Sequence, residues 1–256
     1  MSVETELPDW DEILGTEIDD YCDNLSRLKP DWVEGSISFQ DARFVFRKVL
    51  QLTPRTIVEI GTASGFSTVI LVHALSAVAK AGLIANDFRV VSYDISPYLY
   101  FDHARLPGDA ARELLPADLL EHVSFRYPAT AIELRQEFEP DSIEFLFLDG
   151  AHDHPWPALD LLGTLDRLKP TGIVVLHDIS LPRVAPESAR WGVKYVYDAL
   201  SERELDKDQA IAEVPNSGSF FVPKEREWMR DRLLSVLYDY PWELEITPDY
   251  TTELLA

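Results

Sequence analysis

The chain has 256 residues, of which 46% are hydrophobic, and this is enough for one α/β domain with a sizeable core. Its 45 acidic residues outnumber the 23 basic ones, and the formal net charge of −22 argues against nucleic acid as a partner. No apolar run is long enough to span a membrane, no signal peptide is visible and the single cysteine cannot form an internal disulfide, so we expect a cytoplasmic protein.

Two helices are predicted before the first strand. Apolar residues recur at helical spacing from Ile13 and Leu14 to Leu25, inside an acidic N-terminal extension of residues 1–37. We expect this extension either to cover the core or to form part of a lid. A second helix is predicted over residues 38–52, and Thr53-Pro54 ends it.

An alternation of strands and helices follows and defines a domain over residues 38–223. Apolar strands separated by amphipathic helices favour a parallel sheet covered on both faces, so the predicted fold is α/β, doubly wound and Rossmann-like. The predicted strands are 55–60, 89–95, 122–127, 143–148 and 173–176, and the predicted helices are 66–80, 130–138 and 156–168.

The C-terminal part changes character. After a helix at 193–200, two short strands at 211–214 and 219–222 flank a turn and predict an antiparallel hairpin that closes the sheet. Residues 224–256 are predicted to form a final helix and a tail that carries Trp242 and Tyr250. The tail is expected either to pack on a neighbouring subunit, as in a homodimer, or to cover its own core.

The turn after the first strand is the strongest local motif. Gly61 and Gly65 allow the backbone to approach a ligand where the strand becomes a helix, whose first N–H groups are unpaired. A dinucleotide fingerprint would require glycine at positions 63 and 66, but Ala63 and Phe66 stand there, so an NAD site is excluded. The hydroxyl side chains that can cap the helix are Ser64, Ser67 and Thr68.

Asp94 ends the second predicted strand. In doubly wound sheets an acid at this place accepts hydrogen bonds from ribose hydroxyl groups. The alternative is a turn or cap residue before Pro97. The glycine turn one strand earlier favours ribose binding.

These residues resemble the class I S-adenosylmethionine-dependent methyltransferases over about residues 38–222. The resemblance implies that the Glu59 to Gly65 turn holds the methionine part of the cofactor and that Asp94 binds its ribose. Segment 128–130 resembles the family's adenine-side loop, and segment 169–172 its Lys-Pro-Gly-Gly turn, with Thr171 in place of one glycine. The implied cofactor-binding set is Glu59, Gly61, Thr62, Ser64, Gly65, Ser67, Asp94, Ile95, Ala129 and Asp149.

Acids and histidines follow the fourth and fifth predicted strands. Asp149 and His152 come after the fourth strand, and His177 and Asp178 end the fifth. Adjacent strands lie about 5 Å apart, so these groups are expected to face one pocket at the carboxyl edge of the sheet. The alternative for Asp149 is a simple turn residue.

The Leu-Asp-Gly-x-His and His-Asp pairs are similar to a branch of small-molecule O-methyltransferases. The resemblance implies a hydroxyl acceptor, with His152 as the general base and with His177 and Asp178 lining the acceptor site. Asp149 would line the cofactor or bind metal. A Mg²⁺ ion at Asp149 and Asp178 stays an open alternative, because metal-dependent relatives follow the second aspartate with Asn or Asp and this chain has Ile179.

Two other functions remain in competition. One is a catalytically inactive cofactor-binding or interaction protein on the same fold. The other is an N-methyltransferase, although no Asn-Pro-Pro-Tyr type motif is present. Segment 190–194 either binds an acidic acceptor or starts a helix, and His73 and His154 are placed outside the active site.

Overall fold

The structure is a computed structural model that describes residues 10–188, 190–200 and 207–255. The first nine residues of the N-terminal extension, and the side chains of Ile13 and Leu14, lie outside the described part.

Among the described residues, seven strands form one mixed sheet in the order β3-β2-β1-β4-β5-β7-β6. The first five strands are parallel, and β7 runs antiparallel to both β5 and β6. This confirms the predicted doubly wound, mostly parallel fold with an antiparallel C-terminal hairpin. The strands are β1 Thr56–Ile60, β2 Arg89–Tyr93, β3 Val123–Arg126, β4 Ile143–Leu148, β5 Leu168–His177, β6 Lys207–Gln209 and β7 Ser217–Phe221.

Eleven α-helices connect or flank these strands within the described ranges, with a short 3₁₀ turn at Pro186–Ser188. Each of them is too short or too polar to cross a lipid bilayer. The helices are α1 Trp10–Arg27, α2 Phe39–Leu52, α3 Phe66–Lys80, α4 Asp109–Leu114, α5 Ala117–Leu120, α6 Ala131–Glu137, α7 Trp156–Thr164, α8 Leu181–Val184, α9 Gly192–Ala199, α10 Glu227–Asp239 and α11 Pro248–Leu255.

The helices form two layers because side chains along each strand alternate between the faces of the sheet. In β1, Ile57 packs on the face covered by α1 to α5, whereas Val58 and Ile60 pack on the face covered by α6, α7 and α9 to α11. Phe145 and Leu146 divide in the same way in β4. Both faces of the central strands are therefore buried, as expected for a parallel sheet.

The predicted first strand of the hairpin is wrong in position. β6 is Lys207–Gln209 instead of 211–214, and Ile211 is 78% exposed. The pairing is set by Gln209 opposite Gly218 and closes where Ala210 N–H donates to Ser217 C=O at 2.9 Å. An edge strand pairs on one side only and requires no apolar run, so the apolar pattern at 211–214 marked the loop instead.

Two further boundaries differ from the prediction. Helix α7 ends at Thr164, and the predicted turn at 169–172 lies inside the long strand β5. Thr171 N–H donates to Val222 C=O at 2.8 Å, which extends the pairing of β5 with β7 from Ile173 back to Thr171. The stretch 97–121, between the predicted strands 89–95 and 122–127, contains α4 and α5, which are too short to give a periodic signal.

Both ends of the described chain pack on the same domain. Ile18, Cys22 and Leu25 of α1 are buried in the same apolar cluster as α2 and α3. Leu254 of α11 is 2% exposed in the opposite cluster, and the ring of Tyr250 contacts Trp156 of α7 with centroids 5.2 Å apart. The tail thus covers the chain's own core, which is one of the two predicted arrangements.

β1 and β4 stay in contact just beyond their carboxyl ends. Asp149 N–H donates to Ile60 C=O at 2.8 Å, and Gly61 follows with φ +99°. A Cβ on Gly61 would lie 2.0 Å from the carbonyl oxygen of Asp149. Gly65 has the same kind of constraint, because a Cβ there would lie 2.6 Å from Cα of Gly108. The glycines of this turn are therefore required by packing of the chain itself.

We expect Gly61→Ala to lower the free energy of unfolding by about 3–4 kcal/mol, since a left-handed backbone and a backbone clash both oppose the new methyl group. Gly82→Ala is the matched control: it has φ +75° but nothing within 4 Å of the added Cβ, so about 1 kcal/mol is expected. Urea unfolding of both variants gives the comparison. Equal losses would show that the contact with Asp149 does not constrain the turn.

Candidate active site

A cavity of about 420 Å³ opens at the carboxyl edge of the sheet. It is lined by residues that follow β1, β2, β3, β4 and β5, together with Trp156 and Asp160 of α7. Residues 34–37, Tyr100 and Arg190 add a wall from three loops outside the sheet. The predicted residues that line the cavity are Gly61, Thr62, Ser64, Ser67, Asp94, Ile95, Ala129, Asp149, His152, His177 and Asp178.

Glu59 and Gly65 do not line the cavity. Glu59 is fully buried in β1, and its carboxylate accepts hydrogen bonds of 2.5 Å each from the hydroxyl groups of Ser67, Thr68 and Ser92. Burial raises the pKa of Glu59 to about 7, although the three hydroxyl groups favour the carboxylate. Any effect of Glu59 on a bound cofactor is therefore indirect, through the start of α3.

This network reaches the cavity through a relay of hydroxyl groups. Ser92 donates its proton to Glu59, so the 2.6 Å bond between Thr62 and Ser92 has the Thr62 hydroxyl as donor. Thr62 lines the cavity, and its backbone N–H donates to Tyr93 C=O at 3.2 Å. The turn after β1 is thus held against β2 by both backbone and side chain.

Asp94 is fixed at the end of β2 by two backbone N–H groups. Ala63 N–H donates to one carboxylate oxygen and Ser96 N–H to the other, both at 2.8 Å. Burial raises the pKa of Asp94, and these two bonds oppose that shift. Each oxygen keeps a second lone pair, so Asp94 can accept further hydrogen bonds from a ligand in the cavity.

The acids and histidines after β4 and β5 meet in one cluster. His177 Nδ1 lies 2.9 Å from Asp149 Oδ1 and 3.4 Å from Asp178 Oδ2. His152 Nε2 lies 3.0 Å from Asp178 Oδ2 and 3.5 Å from Asp149 Oδ1. The two imidazoles therefore share the same pair of carboxylates at the edge of the cavity.

Two residues that sequence reasoning missed complete the cluster. Asp41 of α2 lies on the far side of His177, with 3.6 Å between Oδ2 and Nε2, and Asn216 donates from Nδ2 to Asp178 Oδ1 at 2.5 Å. Asp41 is 3% exposed on the apolar face of α2, and an acid on such a face was the signal available in the sequence. Asn216 gave no signal, because it stands in the predicted hairpin turn.

The carboxylates control the charge of both imidazoles. Burial would lower the pKa of His177, but Asp149, Asp178 and Asp41 outweigh it and raise that pKa well above its usual value. The pKa of His152 is also raised, because Asp149 and Asp178 outweigh its burial. The pKa of Asp178 is held far below its usual range by His177 and His152, against the effect of burial. The carboxylates therefore favour the imidazolium form of His177.

Asp149, His152 and Asp178 have the arrangement of a potential metal site. One ligand atom from each lies within 4.8 Å of the other two. His152 Nε2 is buried and lacks hydrogen-bond geometry despite its short distance to Asp178, so it is free to coordinate. Two carboxylates and one imidazole suit Mn²⁺, Fe²⁺ or Zn²⁺ better than Mg²⁺, which prefers oxygen ligands.

The two histidines that the sequence placed outside the active site contact tyrosine side chains. His154 is completely buried, and its ring packs edge-on against Tyr195 with centroids 5.6 Å apart. His73 Nδ1 lies 2.6 Å from the hydroxyl oxygen of Tyr21. Segment 190–194 leads into α9, which begins at Gly192, and Arg190 lines the cavity.

Known proteins with similar sequences or folds include methyltransferases. Residues 58–179 match the family model described as a methyltransferase domain. A protein of Sinorhizobium fredii, uncharacterized protein y4gI, is 26% identical over 129 residues, which are 50% of this chain and only 13% of that protein.

Solved structures share the fold at low sequence identity. The O-methyltransferase TomG from Streptomyces achromogenes, in complex with S-adenosylmethionine, has a TM-score of 0.55 at 17% identity, over 88% of this chain and all of that chain. The O-methyltransferase from Bacillus cereus, in complex with S-adenosylhomocysteine, has a TM-score of 0.54 at 16% identity, over 84% of this chain and 96% of that chain. The methyltransferase PaMTH1 from Podospora anserina, bound to S-adenosylhomocysteine, has a TM-score of 0.52 at 16% identity, over 87% of this chain and all of that chain.

At these identities the solved structures establish the fold, while the family match covers the strands and turns that build the cavity. The chain therefore matches a methyltransferase domain over residues 58–179, and it shares the fold of solved O-methyltransferases that hold S-adenosylmethionine or S-adenosylhomocysteine.

Proposed function

We propose that this protein transfers a methyl group from S-adenosylmethionine to a hydroxyl oxygen of a small molecule. The observation that carries the proposal is the contact between the turn at Gly61 and the backbone of Asp149. It brings the family's cofactor turn and a cluster of acids and imidazoles to one cavity. A protein that only binds the cofactor would not require the cluster of acids and imidazoles.

The residues present fit the cofactor. The cavity volume of about 420 Å³ lies within the range of about 300–1,000 Å³ that is usual for small-molecule sites. Asp94 would accept bonds from the ribose hydroxyl groups, and the backbone of residues 61–64 would hold the methionine part. When bound, S-adenosylmethionine supplies a methyl group that its positively charged sulfur makes electrophilic. The apolar residues available to the adenine are Ile60, Ile95, Ala129 and Trp156.

His152 is the proposed general base for the acceptor hydroxyl. It lines the cavity with 20% of its side chain exposed, and because Nε2 is buried beside Asp178, Nδ1 is the nitrogen that would take the proton from a hydroxyl group. Asp149 and Asp178 favour the imidazolium that forms when His152 takes the proton. His177 is a poorer candidate, because three carboxylates keep it protonated already.

Replacement of His152 by alanine tests this role. We expect turnover to fall about 10²- to 10⁴-fold while the cofactor dissociation constant changes little, since general-base catalysis typically contributes that much. Release of S-adenosylhomocysteine from a panel of hydroxylated acceptors, with amines included, measures turnover, and calorimetry measures binding. His103→Ala is the control, since His103 is exposed and outside the cavity.

Two results would change the proposal. Unchanged turnover in His152→Ala removes that residue from the role of base. Methylation of amines alone makes the protein an N-methyltransferase, and cofactor binding without turnover on the whole panel makes it a non-catalytic binding protein.

The pH dependence gives a second test of the base. A base acts in its deprotonated form, and the carboxylates raise the pKa of His152 above the ordinary value of about 6.5. We therefore expect kcat/KM of the wild type to fall tenfold per pH unit below a midpoint that lies above pH 6.5. The residual activity of His152→Ala should lack this limb. A limb with the same midpoint in the variant would assign the titration to another group.

A divalent cation is the second candidate for activating the hydroxyl group. It is favoured by the convergence of Asp149, His152 and Asp178, the first and last of which the sequence predicted as Mg²⁺ ligands. In the base mechanism His152 has no metal to hold, so we expect turnover after exhaustive EDTA treatment to stay within twofold of the untreated enzyme. A loss of more than tenfold that Mn²⁺ or Mg²⁺ restores would instead make His152 a metal ligand.

A further inference from the structure

An acid with no partner lies in the wall of the cavity. Asp160 of α7 lines the cavity and is only 5% exposed. In the part of the chain that the structure describes, no group donates a hydrogen bond to its carboxyl oxygens. Its neighbours Leu159 and Leu161 are completely buried, so α7 is covered on more than one face around Asp160.

Such an acid is costly unless something binds to it. A buried polar group without a hydrogen bond destabilises the fold. Burial raises the pKa of Asp160 to about 7 with no opposing interaction. The chain therefore carries a buried hydrogen-bonding group whose partner has to come from the cavity.

Asp160 lies next to the residues that the proposed function assigns to the nucleoside. A Cβ on Gly150 would lie 3.4 Å from Ile60 Cγ2 and 3.5 Å from Asp160 Oδ2, so Ile60 and Asp160 flank the same turn. Gly163, one turn further along α7, packs against Ala131 at the start of α6. Ala129, two residues earlier, donates from its N–H to Asp94 C=O at 2.8 Å. The acid and the ribose carboxylate thus border the same loop after β3.

We propose that Asp160 recognises the adenine of the cofactor by accepting a hydrogen bond from its exocyclic amino group. The inference rests on the proposed function, because it assumes that S-adenosylmethionine occupies the cavity. Adenine presents that amino donor beside a ring-nitrogen acceptor. In its protonated form a carboxylic acid offers one acceptor and one donor, which matches this edge of the base, and in its ionised form it still accepts from the amino group.

Tyr250 is the alternative partner of Asp160. Burial raises the pKa of the Tyr250 phenol, and the charge of Asp160 raises it further, so the phenol is within electrostatic range of Asp160. The hydroxyl group of Tyr250 is buried and faces the side chain of Thr130, but it lacks good hydrogen-bond geometry there. Tyr250→Phe is therefore the matched control, because it removes the hydroxyl group near Asp160 and leaves the carboxyl group intact.

The test compares two ligands by calorimetry: S-adenosylhomocysteine and its 6-deamino analogue, in which hydrogen replaces the amino group of the base. We expect the wild type and Tyr250→Phe to prefer S-adenosylhomocysteine at least tenfold. Asp160→Leu should bind both ligands with affinities within threefold of each other, and Asp160→Asn, which keeps an acceptor oxygen, should retain a preference. Asp160→Asn carries the test if the leucine variant does not fold.

Stability separates recognition from a structural role. The folded wild type holds a proton on Asp160 between about pH 4 and 7 that the unfolded chain has lost, so its stability falls as pH rises through this window. Asp160→Leu should melt at a higher temperature than the wild type at pH 7.5 and depend less on pH. A lower melting temperature, with the ligand preference unchanged, would assign Asp160 to the fold.

The two proposals fail in different ways. If the wild type binds neither ligand, the assignment of the cavity to S-adenosylmethionine falls. If the wild type binds S-adenosylhomocysteine and Asp160→Leu keeps the full preference for it, only the role of Asp160 is lost.

Discussion

The close approach of β1 to β4 just beyond their carboxyl ends is the constraint on which the site depends. Gly61 leaves no room for a side chain, because the carbonyl oxygen of Asp149 occupies that position. As a result, the backbone that faces a cofactor and the acid that begins the imidazole cluster are neighbours, although almost ninety residues separate them in the chain. A parallel sheet gathers the ends of its strands at one edge, and here the missing Cβ turns that proximity into contact.

The buried region behind the carboxyl edge of the sheet contains a network of polar side chains. Glu59 brings an ionisable group into the central strand and binds three hydroxyl groups from α3 and β2. Without these donors the acid would be an unsatisfied group at the centre of the fold, with the cost that such groups carry. The network fixes where α3 begins relative to β2, and so it sets the position of Thr62 and Asp94 on the cavity wall. An acid that resembles a ligand residue in the sequence thus acts through the shape of the turn.

The sequence predicted the residues whose place is determined by strand order, and it missed those that arrive by packing. Asp94, Asp149, His177 and Asp178 stand at strand ends, where the topology alone brings them to one edge. Asp41 and Asp160 stand on helices, and Asn216 stands in a hairpin loop. The local sequence pattern predicts the helix or loop there, but it does not predict which cavity the side chain will face. The strand at 207–209 was misplaced for a related reason, since an edge strand stabilised by backbone pairing and by Lys207 contacts has no apolar signature.

The two imidazoles of the cluster differ in pKa and in exposure because their surroundings differ. His177 is 7% exposed and has a carboxylate on each side, so it stays protonated and offsets charge that would otherwise repel within the buried group. Its positive charge also disfavours protonation of His152, against the pull of Asp149 and Asp178. The pKa of His152 is therefore raised less than that of His177, and His152 is the more exposed of the two. In the proposed mechanism, His177 offsets the charge of the carboxylates and His152 exchanges a proton with the acceptor in the cavity.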